Sequence, residues 1–218
     1  MKGLIIFCFC FLRTVALLAA DESCKNIAKG KNIVNLSYNY GTLGFDVSKS
    51  VEEISAICTD NVAGCFVSNF GKSSWTIEDK KITAGSYKCV VPVINITYDF
   101  SGAQIYTVNE GDACHKRAVL RHELQHFAIW KTSKEWFLKD LKYSLQNTAL
   151  ENAVHCPRAG RCRTNAEAVL EKVKLQVEQR WNKIERQNQL LLDQVDHSAK
   201  EQVNYPVCAP YSLKVDLF

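Results

Sequence analysis

From Asn32 to Val108 the chain is rich in β-branched and aromatic residues, cut into short runs by Gly41, Gly44, Gly64, Gly71, Gly85 and Gly102. That pattern predicts short strands joined by turns. Cys89 to Tyr98 is the strongest strand in it, and Pro92 within that run predicts an edge position or a bulge, because proline cannot donate to the ladder. Ser48 to Cys58 stands apart as a short helix opened by Ser48, with Val51, Ile54 and Ile57 at helical spacing. After Gly111 only Gly160 remains, and helix formers take over. One helix is expected from about Ala113, carrying Val119, Leu120, Leu124 and Phe127, and another over about Lys134 to Val154. The longest should open at Thr164 or Asn165, with Glu167 completing a capping box. Its apolar positions, Ala166, Val169, Val173, Val177, Trp181, Ile184, Leu191 and Val195, form one buried stripe, and Gln176, Gln179, Arg180, Lys183 and Arg186 a solvated face. The fold class is α+β: a strand-rich segment over 32–112, a helical one over 113–204 and a tail over 205–218.

The first 20 residues have another character. Met1-Lys2, an apolar run from Leu4 to Leu12, Arg13 and then Ala19-Ala20 have the form of a signal peptide cleaved near Ala20, leaving 21–218 as a single domain. The run falls short of the roughly 20 apolar residues a membrane span needs. An exported, periplasmic or extracellular protein with no stable membrane insertion is therefore expected. Losing Lys2 and Arg13 from 27 basic residues leaves 25 against 23 acidic ones, and no basic patch with interleaved aromatics suggests a nucleic-acid partner. Of ten cysteines, Cys8 and Cys10 leave with the signal. The remaining eight form an even set with no C-x-x-C, which in an oxidising compartment predicts up to four disulfides rather than a thiolate metal site. A Cys156–Cys162 bridge would pin the turn between two helices.

The chemistry concentrates at His122-Glu123-Leu124-Gln125-His126, an H-E-x-x-H motif. Residues four apart share a helix face, so His122 and His126 can converge on one Zn²⁺ ion. Glu123 is then placed as general base for an activated water. A catalytic zinc needs a third protein ligand. The metzincin extension is excluded, because Ile129 and Thr132 stand where Gly and His are required and Met1 is the only methionine. Glu151, a downstream helical carboxylate, and His197, at the end of the long helix, are the candidates; His115 and His155 are read as bystanders.

Gly71-Lys-Ser-Ser-Trp75-Thr-Ile77, the Cys89 strand, the Leu-Arg-His-Glu-Leu-Gln-His block and Asn188 to His197 follow in order. In this the chain resembles a bacterial family of secreted zinc-dependent proteases, over about Asn32 to Lys200. The resemblance implies a zincin-like fold, a metallopeptidase and a peptide or protein substrate. It also implies an Asp–His pair near the end of the last helix, matched here by Asp193 and His197, which makes His197 the preferred third ligand over Glu151. Leu192 and Ser198 stand where the family has Tyr and Gly. Asp193 or Asp196 would orient a ligating imidazole. The alternative function is a disulfide-bridged secreted binding protein with a structural metal or none. The sequence leaves the oligomeric state open.

Overall fold

The computed structural model describes residues 22–58, 63–68, 71–84, 87–109, 112–156 and 162–202, with the side chains of 84, 87 and 195–202 outside the described set. The expected signal peptide and the tail beyond 204 lie outside it too. Elements run α1 (22–29), β1 (Val34–Asn39), β2 (Gly44–Lys49), α2 (Val51–Cys58), β3 (Gly64–Val67), β4 (Lys72–Ala84), β5 (Tyr87–Asp99), β6 (Gln104–Val108), α3 (Ala113–Glu151), β7 (Val154–His155) and α4 (Glu167–Gln202). The protein is α+β, strands preceding long helices. Among the described residues no helix is long and apolar enough to cross a membrane. The chain groups into two compact units: 1–38, 73–98 and 137–179 in the first, 39–72, 99–136 and 180–218 in the second. Each long helix contributes a segment to both.

The first unit holds a sheet in the order β1-β5-β4, with β7 also paired to β5. Its buried side includes Val90, Ile94, Ile96 and Tyr98, together with Phe137, Leu141, Leu145 and Leu170 from the helices. Cys24 and Cys89 form a disulfide joining α1 to β5. On the solvent face Asn35 bonds Asn95 and Ser37 bonds Thr97, both at 2.8 Å and at the same offset, as parallel strands in register require.

Pro92 is not on an edge strand, since β5 is central. The Cys156 N–H reaches the Lys88 carbonyl at 2.7 Å, and the Ile94 N–H reaches the Ile33 carbonyl at 2.8 Å. Residues 88, 92 and 94 direct their backbone groups to one side, where β7 pairs Cys89 and Val90 and β1 pairs from Ile94. Pro92 falls between these two partners, where the ladder needs no donor.

The second unit holds a sheet in the order β2-β6-β3, parallel between β2 and β6 and antiparallel between β6 and β3. Cys58 and Cys65 form a disulfide tying the end of α2 to β3. Ser50, rather than Ser48, caps α2: Glu53 N–H donates to its Oγ, and Glu53 Oε2 accepts from the Ser50 N–H at 2.8 Å. Trp130 is buried in an aromatic cluster with Tyr40, Phe66, Phe100 and Phe127. Lys134, only 1% exposed, is paired with Glu185 across 2.6 Å. Burial lowers the Lys134 pKa against the pull of the Glu185 carboxylate.

Where two helices were expected between Ala113 and Val154, α3 runs unbroken for 39 residues. No Gly or Pro interrupts it, and Asp112 caps its start by accepting from the Cys114 and His115 N–H groups at 2.8 Å each. Those bonds hold the Asp112 carboxyl below its ordinary pKa. Thr164 does not cap α4. Its Oγ1 and N–H are engaged by Asp79, while the Ala166 carbonyl accepts the first helical bond from Leu170. Cys114 is also disulfide-bonded. The bridge expected between Cys156 and Cys162 is not formed; the Cys162 thiol instead donates to the His155 carbonyl at 3.7 Å.

Candidate metal centre

His122 and His126 lie one turn apart on the part of α3 that belongs to the second unit, and the facing part of α4 carries Gln189 and Asp193, also one turn apart. The Nε2 atoms of the two histidines are 2.9 Å apart. Asp193 Oδ1 lies 3.0 Å from the Nε2 of His126 and 3.4 Å from that of His122. Three donor atoms therefore converge, and this His122, His126, Asp193 group can hold a metal ion. The spacing suits one: donors about 2.0–2.1 Å from a tetrahedral zinc stand roughly 3.3 Å from each other.

Gln189 determines which nitrogen of His126 faces the cluster. Its Nε2 donates to the backbone carbonyl of His126 at 3.1 Å. A carbonyl only accepts, so the amide orientation is fixed, and Gln189 Oε1 must be the atom that meets His126 Nδ1. Nδ1 therefore carries the proton, leaving Nε2 with a lone pair aimed at the Asp193 carboxylate. Two lone pairs 3.0 Å apart repel unless a cation, a proton or a metal ion, lies between them. Two neutral imidazoles and one carboxylate are a donor set that zinc and several other divalent transition metals accept. The side chains of His122, His126 and Asp193 are 23%, 12% and 39% exposed, so the cluster is reachable from solvent.

Glu123, one residue on from His122, is not one of the three grouped donors. It is 4% exposed, and its Cγ lies 3.4 Å from where a Cβ on Gly64 would stand. That same Cβ would come within 2.4 Å of Val119 Cγ1 and 3.0 Å of the Tyr106 carbonyl. Gly64 is thus the point at which α3 approaches β3 too closely for any side chain. Leu124, one of the apolar residues the sequence places on this helix, is 38% exposed. The inward positions of this turn are taken by His122, Glu123 and His126, and Leu124 points away from them.

Of the residues proposed from sequence, His122 and His126 are brought together. The side chain of His197 lies outside the described residues. Glu151 is on the last turn of α3 in the first unit, beside Glu22, Lys25 and Arg163, and is not part of the cluster. Asp193, expected to orient an imidazole, presents its carboxylate directly to both. Gln189 was not anticipated: by helical periodicity it falls between the stripe read as apolar and the face read as solvated, four residues before Asp193. Gly64 was read only as a turn. Comparison of the chain with protein-family models, curated proteins and solved structures finds no match in any of the three, so the likeness to secreted zinc-dependent proteases rests on the segments quoted above.

Proposed function

We propose that this chain is an exported zinc-dependent hydrolase of the H-E-x-x-H type, cleaving peptide bonds in a peptide or protein substrate. The observation that carries the proposal is the fixed Nε2 lone pair of His126, converging with His122 Nε2 and Asp193 Oδ1 on one solvent-reachable point. His122, His126 and Asp193 would hold the ion, and Gln189 would keep His126 in the ligating tautomer. Zinc bound there supplies Lewis acidity, which brings the pKa of water near neutrality and polarises a carbonyl. Glu123, buried beside His122, takes the proton from the attacking water and passes it to the departing amine. A structural zinc site is closed by a fourth protein ligand. A fourth protein ligand at this cluster would favour the bridged binding protein over the enzyme.

The test uses the mature, zinc-loaded chain and a reduced, alkylated protein mixture, with new N-termini read by mass spectrometry. Wild type is expected to generate new termini, chelation to stop it, and Glu123→Gln to keep the metal while slowing cleavage by about 10²–10⁴-fold. Cleavage by Glu123→Gln at the wild-type rate, or none by the zinc-loaded wild type, would overturn the proposal.

A further inference from the structure

Within the second unit a ladder of polar contacts runs down the facing stripes of α3 and α4. Asp193 meets His122 and His126, Gln189 meets His126, and Glu185 meets Lys134. The α4 members 185, 189 and 193 recur every four residues, and so do 122, 126, 130 and 134 on α3, with buried Trp130 filling the remaining rung. Lys134 and Glu185 are the least exposed ion pair of the ladder, 1% and 17% by side chain, with Nζ 2.6 Å from Oε2. Lys134 Nζ also stands 5.9 Å above the ring of fully buried Phe100. Neither residue belongs to the metal cluster, and neither is needed for the chemistry proposed above.

We infer that the Lys134–Glu185 pair is a register pin for the metal centre, a positioning pair that holds α4 against α3 so that Asp193 stands opposite the two histidines. Apolar stripes tolerate a slip of one helical turn, because the next apolar residue three or four along takes the same place. A buried ammonium is not indifferent: a slip of α4 by one turn shifts its side chains by about 5.4 Å, removing the carboxylate from Lys134. Buried ion pairs are poor sources of net stability, and their best-attested use is this kind of registry. The same slip would take Asp193 off the point that His122 and His126 share. The inference rests on the metal centre but not on the hydrolase reading.

The experiment is a double-mutant cycle on the full mature chain, reading Zn²⁺ affinity by chelator competition and the melting temperature of the metal-free protein. Lys134→Met/Glu185→Met replaces the pair with apolar side chains and strands no buried charge, so melting is expected within a few degrees of wild type. Zinc affinity is expected to fall about tenfold or more, in the range of losses seen when residues supporting a metal ligand are removed. In an Asp193→Ala background the same change should cost less than about twofold, because there is no longer a carboxylate to deliver. Equal losses in both backgrounds, or no loss in either, overturn the inference while leaving the metal centre standing. A wild-type chain that binds no zinc overturns the centre and the pin together. If the double variant does not fold, Glu185→Gln, which keeps an acceptor for Nζ, is read in the same cycle. A few-fold loss confined to the Asp193-containing background supports the pin, and any other pattern overturns it.

Discussion

Replacing Gln189 with leucine separates the metal centre from the stability of the fold. Leucine roughly conserves volume but loses both contacts to His126, the one at Nδ1 and the 3.1 Å bond to its carbonyl. The imidazole is then free to place its proton on Nε2, where it blocks ligation, and to rotate away from Asp193. Removing such an orienting partner typically lowers metal affinity about 10–100-fold, equivalent to about 1.4–2.7 kcal/mol. The folding cost should be smaller, about 1 kcal/mol net for a typical hydrogen bond. Gln189→Glu is the informative companion. It keeps an acceptor for Nδ1 but turns a second oxygen towards the His126 carbonyl, so it should not restore wild-type binding. Zinc affinity by chelator competition and melting of the metal-free protein give the two readouts. Leucine within twofold of wild type in affinity, or glutamate equal to glutamine, would refute the tautomer argument.

Gly64→Ala places a methyl 2.4 Å from Val119 Cγ1 and 3.0 Å from a backbone carbonyl, so Val119 on α3 or the strand beneath it must shift. We expect about 1–3 kcal/mol lost in urea unfolding, with cleavage falling more than zinc affinity because Glu123 moves; unchanged stability would show that the contact is looser than described. The indole N–H of Trp130 is buried with no hydrogen-bond partner among the described residues. Trp130→Phe should therefore cost clearly less than Trp130→Ala, for which about 3–5 kcal/mol is expected, and similar losses for the two would argue that the N–H is satisfied. Replacing Cys24 and Cys89 by serine opens a disulfide with a sequence separation of 65, for which chain entropy predicts about 4 kcal/mol in denaturant titration; a loss under about 1 kcal/mol would contradict that bridge.

The order of strands before helices was legible because glycine punctuation stops at Gly111 and helical spacing takes over. Boundaries were less so. Whether α3 was one helix or two depended on the absence of a breaker between Gln125 and Lys134, and Pro92 looked like an edge residue because sequence does not show two partner strands meeting beside it. At the metal centre the two histidines could be read from their four-residue spacing. Their partners could not be read in the same way, because Gln189 and Asp193 are 63 and 67 residues beyond His126 and meet it only through the packing of α4. Apolar periodicity identified much of the inward stripe of that helix, including Ala166 and Val177, though Val169 and Leu191 are exposed. It did not reach Glu185, Gln189 and Asp193, which follow Trp181 at four-residue steps and so drift progressively off the predicted stripe towards α3.

The most direct test is the metal content of the purified mature protein, measured for wild type and for His126→Ala, Asp193→Ala and His197→Ala. The account predicts about one zinc per chain in wild type, lost in the His126 and Asp193 variants and retained in the His197 variant. Zinc retained without Asp193 but lost without His197 would contradict the His122–His126–Asp193 assignment, and no metal in the zinc-supplied wild type would contradict the centre as a whole.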